Sequence, residues 1–284
     1  MKNSINDKAA LEIQKCFEEA AKYSVIPSFE SYKLKKLEII KEYDICNNCL
    51  YIKAKSVCQR CPKNIKTKTN NFLIFNAEAQ LRQIITRNFS NIKNNKCDIK
   101  SLGYGEKSKL FKFHSNPKNK TYLTFTLNTD GVSIFRNNSN DTWPIFLVIN
   151  ELKVKQKFAI QNIILLGLWS GKTKINNRVI MNEIMQYLSK IEKTGVIVND
   201  ENFKFATIYG SFDKPAGSLI LNTCYSNHKF GCRFCLVKRE PKSRKPMYLY
   251  IGKARTHLSQ AAKAIKADRD AVQKKGVKGL SSLR

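Results

Sequence analysis

Cys46, Cys49, Cys58 and Cys61 stand as two Cys-x-x-Cys pairs eight residues apart in CNNCLYIKAKSVCQRC. Two residues between thiols let both sulfurs turn onto one tetrahedral ion, and two facing knuckles close a structural zinc site with no open position. Lys53, Lys55 and Arg60, in the same stretch, would help hold the thiolates ionised. The expected role is architectural, because small loop-rich segments draw folding energy from a bound metal. A second group, CYSNHKFGCRFC, contains Cys224, His228, Cys232 and Cys235. Its Cys232–Cys235 pair reads as half of a second zinc site, with Cys224, His228 and the more distant His257 as alternative completing ligands. Cys16 and Cys97 have no partner spacing and read as plain thiols.

Two aspartates carry the other candidate chemistry. Asp130 lies in LTFTLNTDGVSIF, where an Asp-Gly pair between alternating apolar stretches signals a hairpin whose glycine takes a positive φ. Asp213 precedes Lys-Pro and reads as a helix N-cap with proline in the first turn. Both also stand just beyond expected strand ends. Carboxylates from two such places can converge on a Mg²⁺ pair that clamps the attacking and leaving oxygens of an in-line phosphoryl displacement. Neither local role uses up a carboxylate, so the turn, the cap and the metal readings stand together. GLWSGKT, Gly167 to Thr173, imitates a phosphate loop but has three residues between its glycines, one of them Trp169. A phosphate loop needs four, mostly compact, so that successive N–H groups wrap the anion.

The elements that would position these residues follow from periodicity. A helix is expected from Asn6 to Tyr23, ending before Pro27, and another from Asn76 to Phe89, with Leu81, Ile84, Ile85 and Phe89 on one face and Asn76 as N-cap. The polar stretch NIKNNKCDIKSLGYGEKSK reads as a connector, placing a boundary near residue 115. Beyond it, Leu123, Phe125 and Leu127 alternate with polar residues in a first strand. Val132 to Phe135 reads as a second strand and TWPIFLVINEL as a third, near-continuously apolar one suited to the middle of a sheet. NIILLGLW fits either a strand or a buried helical turn. Ile180, Ile184, Leu188 and Ile191 make a helical stripe that Gly195 can end. FKFATIYGSFDKP gives another strand, a break at Gly210, and a helix opened by Asp213. The fold class is α/β with a mixed sheet.

Bulk properties narrow the partners. The chain has 284 residues, 51 Lys and Arg against 22 Asp and Glu, and a formal net charge of +29. That excess repels itself unless a polyanion neutralises it, so nucleic acid is the first partner to consider, with salt-sensitive binding to which the tail KREPKSRKPMYLYIGKARTHLSQAAKAIK contributes. No signal-type leader opens the sequence, and its longest apolar run, IILLGLW, is far below the roughly 20 residues of a membrane span. A soluble intracellular protein is expected. With nine cysteines, an odd number, metal binding is a better reading than a disulfide framework.

Several ordered blocks, NTDGVSIF with WPIFLVINEL, IILLGLWSGKTK, DKPAG, FGCRFC, and RTH with GVKGLS, resemble the transposase-domain proteins of eukaryotic DNA transposons, relatives of the CACTA elements. The resemblance runs from about Cys46 to the end. It implies an RNase H-like core over 116–240, preceded by a helical and zinc-binding segment over 1–115 and followed by a basic helical tail over 241–284. It further implies a nuclear DNA-transposition protein, self-association, and a DDE triad whose first two members are Asp130 and Asp213, holding Mg²⁺ or Mn²⁺. The sequence departs from the family at Gly217, where an Arg is usual. It also ends before the family's Asp-x-x-His stretch and third acid, which implies an incomplete catalytic core. Asp268 and Asp270 lie on an Ala/Lys-rich helix, where pairing with lysines at i,i+4 is their simpler role. The alternative from another class is a non-catalytic zinc- and DNA-binding regulator on the same scaffold.

Overall fold

The computed structural model describes residues 37–46, 49, 52, 58, 61, 69–97, 113, 116, 122–133, 141–171, 177–239, 253–270 and 277–278. The helix expected over Asn6 to Tyr23, and Lys53, Lys55 and Arg60, lie outside them. The chain divides into two units, one of Met1–Ile175 with Gln186–Ser211, the other of Asn176–Met185 with Phe212–Arg284.

The first unit is built on one mixed sheet. Its strands are β1 (Ile39–Cys46), β2 (Thr69–Phe75), β3 (Tyr122–Thr129), β4 (Val132–Ser133), β5 (Asp141–Ile149), β6 (Ile163–Gly171), β7 (Val196–Val198) and β8 (Glu201–Ser211). The order across the sheet is β1-β2-β6-β5-β3-β8-β7, with β4 on β5, so strands from both sides of residue 115 share it. All neighbours are antiparallel except β3 and β8, which are parallel. IILLGLW is therefore strand and not a helical turn, and Gly167 to Gly171 lie within β6, which excludes a phosphate loop there. Trp169, Phe72, Phe75 and Phe125 are fully buried, and Phe125 stacks on Phe205 of β8 at 5.0 Å.

Helix α1 (Ala77–Cys97) starts where expected but runs further, through a kink at Asn88. Asn76 caps it, its Oδ1 accepting from the Ala79 N–H at 3.0 Å, and the Tyr187 hydroxyl accepts from the Ala77 N–H at 3.0 Å. Burial pushes the Tyr187 phenol up from its ordinary value. Gln80 joins α1 to the sheet. β2 pairs with β6 only as far as Ile74 opposite Gly167, and the Gln80 amide then takes over as a pseudo-strand, donating to the Leu165 carbonyl at 2.9 Å and accepting from its N–H at 3.0 Å. A buried backbone pair is thereby satisfied. After a short helix α2 (Val154–Lys157), helix α3 (Asn177–Thr194) ends at Gly195, whose φ of 72° is the left-handed cap that glycine adopts without steric cost.

Two turn expectations are corrected. Asp130-Gly131 is not a hairpin turn, because β4 pairs with β5 and not with β3. Thr129 faces Ile145, Val132 faces Thr142 and Ser133 faces Asp141, one unbroken register in which β3 and β4 form a single strand line interrupted at Asp130-Gly131. Pro144, which has no N–H to give, stands opposite the interruption. A Cβ on Gly131 would lie 2.6 Å from the Trp143 indole, so ring packing and not a positive φ requires the glycine. The two-residue turn with both φ positive is Asn199-Asp200, between β7 and β8. β8 also runs through Gly210 to Ser211, so the break falls at Phe212, two residues later than expected.

The start of β3 is fixed by the segment after β5. Glu151, fully buried, accepts from the Thr124 N–H at 3.0 and 3.1 Å and from its hydroxyl at 2.7 Å, while Asn150 accepts from the Thr126 hydroxyl at 2.7 Å. Burial lowers the Lys157 amine from its ordinary value and the Glu151 charge works against that shift.

The second unit contains α4 (Lys214–Ile220), a loop crossed by Thr223–Val277 and Cys235–Ala254 bridges, and α5 (His257–Asp270). Among the described residues no helix is long and apolar enough to cross a membrane.

Replacing Glu151 by Ala should cost about 3–5 kcal/mol, since it strands the Thr124 N–H and a buried Lys157 charge together. Urea unfolding followed by circular dichroism measures it, and a loss below about 1 kcal/mol would contradict the anchoring role.

Candidate metal centres

β1 ends in a buried Cys46 paired opposite Thr69, the first residue of β2, so Cys46 sits at the mouth of the connection between these two strands. An Ile45–Ile52 bridge folds the next segment back. The sulfurs of Cys46, Cys49, Cys58 and Cys61 all lie within 4.8 Å of one another. Cys46 and Cys61 Sγ are 3.7 Å apart, and Cys49 and Cys58 Sγ are 3.4 Å apart. Four ligands about 2.3 Å from a tetrahedral zinc have sulfurs about 3.8 Å apart, whereas a disulfide needs about 2.05 Å. None of the four cysteines forms a disulfide, and the spacing fits an ion and not a bond.

Burial, followed by the Cys46, Cys49 and Cys58 thiols, pushes the Cys61 thiol up to about 12. A divalent ion reverses this, because the thiolate is the ligand and metal uptake displaces its proton. The four cysteines could hold a metal ion such as zinc, as expected from their spacing, in a closed site that leaves no position for a reactant.

The second cysteine group is only partly assembled. Cys232 and Cys235 Sγ lie 3.3 Å apart, but no third Cys, His or carboxylate joins them among the described residues. Cys224 is buried, and burial pushes its thiol up against the opposing pull of Lys278 and Arg255. His228 accepts from the Phe230 N–H through Nδ1 at 3.2 Å. Arg255 gathers the loop: its guanidinium donates to the carbonyls of Cys232 at 2.8 Å, Cys235 at 3.1 Å and Phe230 at 3.0 Å.

Asp130 is exposed at the interruption after β3, with Oδ1 accepting from the Gly131 N–H at 2.8 Å. Asp213 is exposed at the start of α4, where Oδ1 caps the helix by accepting from the Ala216 N–H at 2.6 Å, with Pro215 in the first turn as expected. Neither belongs to a group of three or more metal-binding side chains among the described residues. In the sheet itself, parallel β3 and β8 end in register, Asn128 opposite Ser211, and the Asn128 amide donates to the Ser211 carbonyl at 2.7 Å. Asp130 and Asp213 each follow two residues after that last pair. Asp270 bonds its neighbour Arg269 at 2.7 Å.

Arg233 is the residue that sequence reasoning missed. Its guanidinium donates to the carbonyls of Phe212 and Asp213, both at 3.1 Å, and a Cβ on Gly217 would lie 1.9 Å from its Nη1. Gly217 thus leaves room for an arginine sixteen residues further on. No local pattern links the two.

The profile of a family described as "Protein of unknown function (DUF1258)" matches residues 32–282, and the chain belongs to that family. No curated protein matches it.

Purified protein should carry about one zinc through the N-terminal cluster, and Cys46→Ser with Cys49→Ser should remove it. Atomic emission on the two proteins decides this; equal zinc in both would rule the cluster out.

Proposed function

We propose, for this member of the family, a DNA-binding protein of DDE-transposase descent, in which Asp130 and Asp213 hold Mg²⁺ or Mn²⁺ against a DNA phosphate. The observation that carries the reading is the pair of strand ends. The β3–β4 line breaks at an exposed aspartate that makes no hairpin, and the neighbouring parallel strand stops in the same register two residues before a second aspartate. Turn chemistry does not account for Asp130. An antiparallel β6-β5-β3 set extended by a parallel β8, with α3 in the connection between β6 and β8, supports an RNase H-like sheet.

The chemistry follows from the ligands. Mg²⁺ keeps several waters and binds through one or two carboxylates plus substrate phosphates, so two aspartates suffice for a cation that is completed by DNA. Cleavage and strand transfer by two ions, which clamp the attacking and leaving oxygens, require a further acid. No such residue joins either aspartate among the described residues. Metal-assisted DNA binding is therefore the function assigned, with zinc in the cysteine cluster as a structural support and the nucleus as the place of action. The net charge of +29 favours DNA as the partner.

A regulator that binds DNA by its basic surface alone would keep the zinc but ignore the aspartates. The two readings separate in a DNA-affinity titration with and without Mn²⁺. The full chain should bind a short duplex severalfold more tightly with Mn²⁺, and Asp130→Asn or Asp213→Asn should each abolish the gain. Asparagine retains the N-cap, so helix α4 survives the second substitution. Wild-type affinity indifferent to Mn²⁺ would overturn the reading in favour of the regulator.

A further inference from the structure

We infer that the loop around Cys232 and Cys235 binds unpaired nucleic-acid bases, with one base stacking on Phe234. The inference deepens the DNA-binding reading above and rests on it.

Phe234 is 73% exposed, although it lies inside a knuckle whose backbone is tied on every side. Its carbonyl accepts from the Arg255 N–H at 2.8 Å, the Leu236 N–H donates to Lys253 at 2.8 Å, and the Arg239 N–H donates to Lys229 at 2.8 Å. The Arg255 guanidinium holds three more carbonyls of the loop. A ring kept in water by a fixed backbone forgoes the burial that usually stabilises phenylalanine. The Arg233 guanidinium sits 5.3 Å from its centroid, and the same group is bonded to the Phe212 and Asp213 carbonyls. Ring and cation are therefore presented together and already ordered.

The surroundings choose the occupant. Lys278 Nζ lies 4.9 Å from the ring of the exposed Tyr225, and Lys229 Nζ lies 5.9 Å from that of Phe230. From Cys224 to Arg239 the chain contains Lys229, Arg233, Lys238 and Arg239 and no acidic residue. Apolar protein partners gain nothing from such a charge. Aromatic rings beside cations suit a single strand, whose bases expose their faces while its phosphates meet the cations. In a duplex those faces are covered by the neighbouring pairs.

Fluorescence anisotropy of the full chain with labelled oligo-dT and with a labelled duplex tests this. Phe234→Ala should weaken oligo-dT binding about 5- to 100-fold and leave duplex binding nearly unchanged, as loss of one stacked base predicts. Phe234→Trp should restore single-strand affinity and show indole fluorescence quenched by the oligonucleotide. Circular dichroism matching wild type excludes misfolding. If duplex binds and Phe234→Ala leaves oligo-dT affinity unchanged, or lowers both affinities equally, the inference falls and the DNA-binding reading stands. If wild type binds neither, both fall.

Discussion

The parallel pairing of β3 with β8 is the constraint on which the rest of the first unit depends. β3 has an antiparallel neighbour, β5, on one side and a parallel one on the other. A parallel partner cannot be reached by a tight turn and needs a crossover of a dozen residues or more, which α3 provides here. Both strands then leave the sheet at the same end. A register shift between Phe125 and Thr126 sets Thr126 opposite Tyr209 and leaves Ile208 as the extra residue of β8. Such a bulge moves everything beyond it by one position, and here it brings Asn128 opposite Ser211. At the other end, the buried Glu151 carboxylate holds the start of β3 through Thr124. Anchor and break therefore act along the β3 line, and the bulge along its parallel partner β8.

The cysteine cluster serves a different need. Among the described residues β1 is an edge strand of the sheet, next to β2, and a long connection separates the two. An ion held at Cys46, where the pairing ends, would restrict the intervening chain, at a position far along the strand order from β3. In the second loop, Arg255 ties the backbone by hydrogen bonds to three carbonyls. The doubled Cys-x-x-Cys spacing brings together four thiols that could hold one ion, whereas no third ligand joins the single pair among the described residues.

What the sequence made legible is what local chemistry determines. Alternation exposed β3, the helical stripe of Ile180, Ile184, Leu188 and Ile191 exposed α3, and Gly195 its end. Asn76 and Asp213 cap the helices their types suggest. Asp130-Gly131 misled because the same dipeptide serves two purposes. The turn reading assumed that the following strand returns along β3, whereas it continues past it, and the glycine is required by Trp143, a residue twelve positions away. The true positive-φ turn, Asn199-Asp200, lacks the glycine that would have announced it. Gln80, Glu151 and Arg233 each satisfy backbone groups remote in sequence, which no periodicity encodes.

The central proposal is that Asp130 and Asp213 are ligands of a divalent cation. Loading the purified protein with Fe²⁺ in place of Mg²⁺, then adding ascorbate and peroxide, cuts the backbone wherever the iron resides. The account predicts cleavage beside both Asp130 and Asp213, with Asp130→Asn or Asp213→Asn suppressing both cuts together. Cleavage at neither aspartate, or cuts at one that persist when the other is replaced, would contradict it.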